Sequence, residues 1–130
     1  MHHITKLNKE FYRCISLDLT CDDVIITDKQ IAHIKAHHPK DYDIISPYFS
    51  YAIEYPDYIL QANKPNTAII LKEIHANNTN IKLILRLVTS NDPSELKNSI
   101  ITAMKINQKE WNRLLRNKTI LYNTYKFTII

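Results

Sequence analysis

Three of the six histidines in this 130-residue chain, His33, His37 and His38, lie close together in sequence. His33 and His37 are four residues apart and would share one face of a helix, which is the spacing of helical zinc ligands. The segment reads HIKAH, lacks the glutamate of a zinc-protease motif and places Lys35 between the two rings, so metal binding is not expected. His38 would stand at a helix end, where a charged imidazole can bind phosphate or donate a proton. For each histidine taken alone, a surface or capping role is the simpler interpretation.

Two cationic side chains, Lys72 and Arg86, are flanked by aliphatic residues in segments that alternate with a period of two. In 81–89 the first four odd positions are apolar and are expected to face the helices, which places Lys82 and Arg86 on the other face of the strand. A charged side chain on a central strand is costly unless it meets a partner or lines a cleft. A solvated sheet face with ordinary surface charge is the alternative interpretation.

Two hydroxyl side chains, Ser99 and Thr102, belong to a third segment, NSIITAMKI at 98–106. Such hydroxyls can hold a phosphate oxygen, but in a regular strand these two would point to opposite faces unless a bulge intervenes. Ordinary strand residues are the alternative. The two cysteines, Cys14 and Cys21, are too few for a disulfide framework or a zinc site, and we expect reduced thiols with a structural role.

The composition limits the classes of protein to which the chain can belong. It contains no glycine, which excludes glycine-dependent phosphate loops, dinucleotide-binding fingerprints and the GxSxG elbow of acyl-transfer enzymes. Tight turns must then use asparagine and aspartate, which tolerate a positive φ. Lysine and arginine exceed aspartate and glutamate by 17 to 13, a net charge of +4. A basic domain is suited to bind nucleic acid or an acidic protein, although many lysine-rich domains bind neither.

The elements that position these side chains are expected to form one domain over 1–130, in which 1–10 are a flexible lead-in. No apolar run is long enough to cross a membrane, and the polar start lacks the core of a signal peptide. These features favour a cytoplasmic protein, with export as part of a larger polypeptide left open.

Capping signals and periodicity predict the helices and strands. Thr27 and Gln30 form a capping box, and Pro39 ends the helical pattern that follows them. The Asn-rich stretch 76–80 is typical of a hairpin turn. The order of elements predicts an α+β fold, an antiparallel sheet with helices packed on one face. The predicted helices cover 28–37, 42–54 and 107–116, and the predicted strands cover 11–19, 57–62, 67–75, 81–89 and 99–106, with a further strand in 119–130.

A series of motifs, taken in order, resembles a known family. The chain contains ITDKQIAHIKAHHPKDY, EYPDYIL, KPNTAIILKEI, LILRLVTS, NSIITAMKI and EWNRLLRNKTILY. Together they resemble the phage-associated branch of the barnase–EndoU–colicin–RelE-like (BECR) nucleases, over about residues 24–122. The resemblance implies a small α+β fold. It also implies a metal-independent ribonuclease without a cofactor, which cuts RNA by attack of the ribose 2′-hydroxyl on the adjacent phosphate.

The resemblance further implies which residues form the site. The family pattern favours His38 over His37 as the partner of His33. His37, Lys82 and Lys105 are expected to bind the substrate, and Asp57, from the PDYI motif, is expected to be structural. The expected catalytic residues are His33, His38, Lys72, Arg86, Ser99 and Thr102.

In the implied mechanism the histidines act as base and acid, Lys72 and Arg86 stabilise the developing charge, and a hydroxyl orients the phosphate. The histidines and the two cations must therefore converge on one pocket. The implied role is that of a toxin or phage-linked effector, in the bacterial cytoplasm or delivered within a larger toxin, with an acidic antitoxin or immunity protein as its partner. The alternative is an RNA-binding or partner-binding module on the same fold that cleaves nothing.

Overall fold

A seven-stranded sheet organises residues 1–124, the part of the chain that the computed structural model describes. The strands follow the spatial order β1-β2-β6-β5-β4-β3-β7, and all neighbours are antiparallel except the parallel pair β2 and β6. The predicted α+β class with a largely antiparallel sheet is therefore confirmed. The strands are β1 (His2–Lys6), β2 (Asp23–Ile26), β3 (Tyr58–Gln61), β4 (Thr67–Ile74), β5 (Thr79–Arg86), β6 (Asn98–Ile106) and β7 (Ile120–Asn123).

Five α-helices accompany the sheet within residues 1–124. The predicted capping box is present, because the Thr27 hydroxyl accepts from the Gln30 N–H at 3.2 Å and the Gln30 side chain accepts from the Thr27 N–H at 3.0 Å. The helix that follows spans the predicted residues, and the predicted helical segment 42–54 is divided by a 3₁₀ turn at Ser46–Tyr48. The helices are α1 (Lys9–Tyr12), α2 (Asp28–His37), α3 (Tyr42–Ile45), α4 (Phe49–Glu54) and α5 (Gln108–Asn117).

The sheet is covered on both faces. Helices α1–α4 pack on one face, where Tyr12, Ile34 and Phe49 join the main core. Helix α5 packs on the other face through Trp111 and Leu114. The expectation of helices on one face is thus met by α1–α4 but not by α5. The reason is that β4 is buried on both faces over its first six residues, so a helix must also pack on the second face of the sheet.

Strand register sorts the polar side chains between the two faces. In the β4–β5 pair, Lys82 is opposite Leu71 and Arg86 is opposite Thr67. Directly opposed residues share a face, so these side chains lie on the α5 face. Lys72 is opposite Ile81 and lies on the α1–α4 face. The odd positions 81, 83 and 85 face the main core, as predicted.

The pairing of β5 with β6 shifts register between Ile84 and Leu85. Beyond the shift Ser99 is opposite Arg86, and before it Thr102 is opposite Ile84. Because of this irregularity, both hydroxyls share the α5 face rather than pointing to opposite faces.

Two predictions for the start of the chain are wrong. Residues 1–10 are not a flexible lead-in, since β1 pairs with β2 and Leu7 is buried. Residues 11–19 are not a strand, because Asn8 caps helix α1 and the Tyr12 hydroxyl donates to the Ile53 carbonyl at 2.7 Å. The partial alternation of residues 11–19 resembles that of a strand, whereas the cap and this long-range contact favour a helical turn.

The remaining boundaries differ by a few residues. Strand β5 ends at Arg86 rather than at residue 89, and β7 supplies the strand predicted in 119–130, of which 125–130 lie outside the described residues. Asparagine takes the positive-φ positions of this glycine-free chain, with φ of 55° at Asn66 and 51° at Asn78. Within residues 1–124, none of the helices has the length and apolar character required to span a bilayer.

Candidate functional site

A cleft of about 820 Å³ lies on the α5 face of the sheet, between β4, β5, helix α5 and the β3–β4 loop. We call it the basic cleft, because it carries five cationic side chains, and within residues 1–124 no acidic side chain lines it. Such a surface attracts a polyanion. The apolar lining residues include Ile69, Ile84 and Ile101. The cationic residues are Lys64, Lys82, Arg86, Arg113 and Lys118.

Lys82 is the half-buried lysine of the basic cleft. Its burial lowers the pKa of the ammonium group below the ordinary value of 10.5; Glu110 opposes that shift, while the charges of Arg113 and Lys118 add to it. In the part of the chain that is described, the ammonium group of Lys82 forms no hydrogen bond or ion pair. Half-burial in a cleft, with a pKa lowered by that burial, makes Lys82 a candidate for general acid–base chemistry.

Arg86 is fixed at the cleft by the loop that follows β5. One guanidinium nitrogen donates to Asp92 Oδ1 at 2.9 Å and another donates to the Leu87 carbonyl. The Asp92 carboxylate also accepts from the Thr89 N–H at 2.8 Å. This backbone bond, followed by the charge of Arg86, lowers the pKa of Asp92, so the carboxylate stays ionised at neutral pH. The guanidinium is thus held in place before any anion arrives.

A second arginine is held by a carboxylate on its own helix. Arg113 donates from Nε and Nη2 to the two oxygens of Glu110, at 2.7 and 2.6 Å. Asn107 caps α5 by accepting from the Glu110 N–H at 2.8 Å, which fixes the start of the helix. The bond to Arg113 lowers the pKa of Glu110. Lys118, just beyond α5, donates to Asn63 Oδ1 at 3.1 Å.

Sequence reasoning did not identify Lys64, Arg113 and Lys118 as site residues. The apolar positions of 107–116 predict helix α5, but they do not say which face of the sheet the helix covers. Four of the predicted site residues lie on this face. Lys82 and Arg86 line the basic cleft, whereas Ser99 and Thr102 are partly exposed on β6 but do not line it.

Lys72 lies on the opposite face and is almost fully buried, with 7% of its surface exposed. Its ammonium group is 3.2 Å from Asp57 Oδ1 and 4.4 Å from the centroid of the Tyr51 ring. Asp57 Oδ2 also accepts from the Glu73 N–H at 2.8 Å. The pairing of Lys72 and Arg86 in one pocket is therefore wrong, because the sheet separates them. The expected structural role of Asp57 agrees with these contacts.

Replacing Lys72 by methionine is expected to lower the free energy of unfolding by about 3–5 kcal/mol, because the buried Asp57 carboxylate loses its counter-charge. Urea denaturation measures this change. The exposed Lys29 is the matched control, and Lys29→Met should change the free energy by less than about 0.5 kcal/mol. A Lys72→Met protein that is as stable as the wild type but inactive would restore the catalytic role first predicted for this lysine.

The three histidines belong to the α1–α4 layer. His33 and His37 are exposed on α2, with ring centroids 4.2 Å apart, and His38 Nδ1 is 3.9 Å from Asp41 Oδ2. Helix α2 buries Ile34 against the main core, and none of the three histidines lines the basic cleft. The expected convergence of the histidines with Arg86 on one pocket is therefore wrong.

Lys105 lies on the same face as Lys72, since both are opposite Ile81. Its backbone N–H donates to Asp41 Oδ2 at 3.1 Å, and its side chain is exposed. Lys105 is therefore separated from the basic cleft, and of the three residues expected to bind substrate only Lys82 lines it.

Alanine variants of His33, His37 and His38, made singly, are expected to keep nucleolytic activity within about threefold of the wild type, because none of these side chains lines the cleft or belongs to the buried core. Initial rates on one labelled RNA substrate measure this. Loss of activity in His38→Ala, in a protein with unchanged thermal stability, would instead support the acid–base role that the family resemblance implied.

Two further features concern metals and thiols. Among residues 1–124, no three or more histidine, cysteine, aspartate or glutamate side chains are arranged to hold a metal ion. Cys14 and Cys21 are both free thiols, and partial desolvation raises the pKa of the Cys14 thiol.

Comparison with known proteins identifies a family. Residues 10–123 match the family described as phage-Barnase-EndoU-ColicinE5/D-RelE like nuclease 2. No curated protein and no solved structure gives a significant match. The match spans most of the chain, and the fold is the α+β architecture that the resemblance implied. The chain belongs to the phage-Barnase-EndoU-ColicinE5/D-RelE like nuclease 2 family, PBECR2.

Proposed function

We propose that this nuclease is a metal-independent endoribonuclease and that the basic cleft is its active site. The observation that carries the proposal is the convergence of five cationic side chains on one cleft, with the half-buried Lys82 among them. Binding of a phosphodiester needs a cationic surface. Cleavage of RNA needs in addition a group that accepts the proton of the ribose 2′-hydroxyl. Lys82 is the lysine of the cleft whose lowered pKa is suited to that second requirement.

The first step in the proposed mechanism activates the substrate. The neutral amine of Lys82 takes the proton of the ribose 2′-hydroxyl, and the resulting oxyanion attacks the adjacent phosphorus. The developing charge on the non-bridging oxygens is stabilised by Arg86 and Arg113, whose planar guanidinium groups can each grip two oxygens. Because carboxylates already fix both arginines, little reorganisation is needed when the charge develops.

The second step releases the product. The bond from phosphorus to the 5′-oxygen breaks, and the leaving oxygen takes a proton from a second ammonium group. Lys118 is the candidate donor, since its bond to Asn63 holds it at the cleft. The products are a 2′,3′-cyclic phosphate and a 5′-hydroxyl. Ser99 and Thr102 are suited to orient a phosphate oxygen, because both share the face of Arg86.

The test of this proposal is cleavage of total RNA by the purified protein in EDTA. The expected result is cutting that persists in EDTA and leaves 2′,3′-cyclic phosphate ends, which sequencing of the RNA ends would also map. Binding that weakens with salt but is not accompanied by cleavage would select the non-catalytic RNA-binding alternative. Cutting that stops in EDTA would contradict metal independence.

We also infer a biological role for this nuclease. The family description links it to phages, and a ribonuclease that cut cellular RNA would arrest the growth of a bacterial cell. A neutralising antitoxin or immunity protein would need an acidic surface to cover the basic cleft. Growth arrest on induced expression, relieved in the Lys82→Met variant, is the expected result; normal growth on expression of the wild type would contradict the toxin role.

A further inference from the structure

A second hollow, of about 440 Å³, adjoins the basic cleft. The β3–β4 loop lines both, so a ligand in one lies next to a ligand in the other. Gln61 and Asn66 belong to the second hollow alone, as do the apolar residues Ile15 and Leu121. The residues that line both hollows are Ala62, Asn63, Lys64, Pro65 and Thr67.

The chemistry of the second hollow differs from that of the basic cleft. It carries three amide side chains, those of Gln61, Asn63 and Asn66, and among the described residues Lys64 is its one charged lining side chain. An amide presents a donor and an acceptor side by side, which is the pattern that pairs with the edge of a nucleobase. The cleft is thus suited to phosphates and the hollow to bases.

The amides are held on a fixed backbone. The Asn66 carbonyl accepts from the Leu87 N–H at 2.8 Å, and its φ of 55° sets the bend of the loop. Asn63 Oδ1 accepts from Lys118, which leaves the two N–H donors of that amide for a ligand. The apolar walls Ile15 and Leu121 can pack against the faces of a flat ring.

We propose that this hollow is a nucleobase-binding subsite, which selects the nucleotide next to the phosphate that is cut. This inference rests on the proposed function of the basic cleft. Sequence-specific recognition of RNA uses unstacked bases, whose edges are read by hydrogen bonds. The nuclease is therefore expected to prefer one base at a fixed position beside the cut.

The test compares two substitutions that are identical in chemistry. Asn66→Asp changes an amide of the hollow, whereas Asn78→Asp changes the other positive-φ asparagine, at the opposite end of β4. Aspartate tolerates this backbone conformation, so both variants are expected to fold. Gln61→Ala is a second change in the hollow, since its side chain is exposed at the end of β3.

In the first arm, each protein cuts random-sequence RNA and the resulting RNA ends are sequenced. The wild type and Asn78→Asp should share one base preference beside the cut, and Asn66→Asp and Gln61→Ala should weaken it about fivefold or more. Cleavage without any preference, or with a preference that neither hollow variant alters, would overturn the subsite while leaving the ribonuclease proposal intact.

The second arm does not depend on cleavage. It measures the affinity of each protein for short 2′-O-methyl RNAs of a single base, which cannot be cut by 2′-hydroxyl attack. The wild type and Asn78→Asp should bind one of the four RNAs more tightly than the other three, and Asn66→Asp should show this preference weakened by about fivefold. Equal affinity for all four bases would overturn the subsite. If the random RNA stays uncut but binding is base-selective, the ribonuclease proposal is overturned, whereas the hollow is kept as a site that binds a nucleobase.

Discussion

Replacing Lys82 by methionine is expected to slow RNA cleavage by about 10²–10⁴-fold, because the proposed mechanism loses its general base. Methionine keeps the length of the side chain and most of its packing at this half-buried position on β5. Lys82→Arg separates proton transfer from charge, since arginine keeps the positive charge but does not deprotonate in a protein. Single-turnover rates with excess enzyme measure both losses without interference from product release.

The pH dependence of the wild-type cleavage rate independently tests the role of Lys82 as the general base. A lysine acts as a base only in its neutral form, and burial lowers the pKa of Lys82 below its ordinary value of 10.5. The rate should therefore rise with pH and level off below the range of an ordinary lysine. Lys105→Met, which removes an exposed lysine from the other face, should leave both the rate and the profile unchanged. A Lys82→Arg enzyme with full activity would show that only charge is needed at this position.

Replacing Arg86 by methionine is expected to lower kcat by about 10²–10³-fold, the usual loss when one donor to a developing negative charge is removed. Because Arg86 is already fixed by Asp92, its contribution should appear when charge develops on the phosphate rather than when RNA binds. KM should therefore change less than kcat. Arg86→Lys should recover part of the rate, since an ammonium keeps the charge but not the planar fork.

The matched control for Arg86 is Arg116, an exposed arginine in the last turn of α5 that does not line the basic cleft. Arg116→Met is expected to change kcat by less than about threefold. Steady-state kinetics on a short labelled RNA separate the two parameters. An Arg86→Met enzyme that loses only affinity, to the same extent as Arg116→Met, would contradict the transition-state role and leave Arg86 as one of many phosphate contacts.

Local signals were sufficient to predict several elements, among them the strand that carries Lys82 and Arg86. The capping box at Thr27 and Gln30 predicts the range of α2, because two backbone donors at a helix start have one satisfactory arrangement. The alternation in 81–89 predicts the two faces of β5, since a strand places successive side chains on opposite sides. Lys82 and Arg86 were therefore assigned to one face from the sequence alone, and the structure confirms this face.

Other features depend on contacts between distant parts of the chain. The burial of Lys72 depends on Asp57, 15 residues earlier, and the helical turn at Tyr12 depends on the Ile53 carbonyl. The register shift next to Ile84 brings Ser99 and Thr102 to one face, and no turn residue marks it. None of these contacts leaves a periodic pattern, so the sequence did not predict them.

The candidate site was only partly predictable for the same reason. The family motifs draw attention to histidines on α2 and to cations on β4 and β5, but motifs do not say which face of the sheet each residue occupies. The assignment of α5 to the face of Lys82 brings Arg113 and Lys118 into the cleft and leaves the histidines outside it. The position of α5 follows from a tertiary contact, the packing of Leu114 with Leu60 and Leu71.

The most direct test of the basic cleft as the active site is a comparison of two proteins in EDTA. One is Lys82→Met, and the other carries alanine at His33, His37 and His38 together. Their single-turnover rates on the same RNA are measured beside the wild type, with thermal unfolding to confirm that both are folded. We expect the lysine variant to lose about 100-fold or more and the histidine variant to stay within about threefold. An inactive histidine variant beside a fully active Lys82→Met would contradict the account and place the chemistry on the opposite side of the sheet.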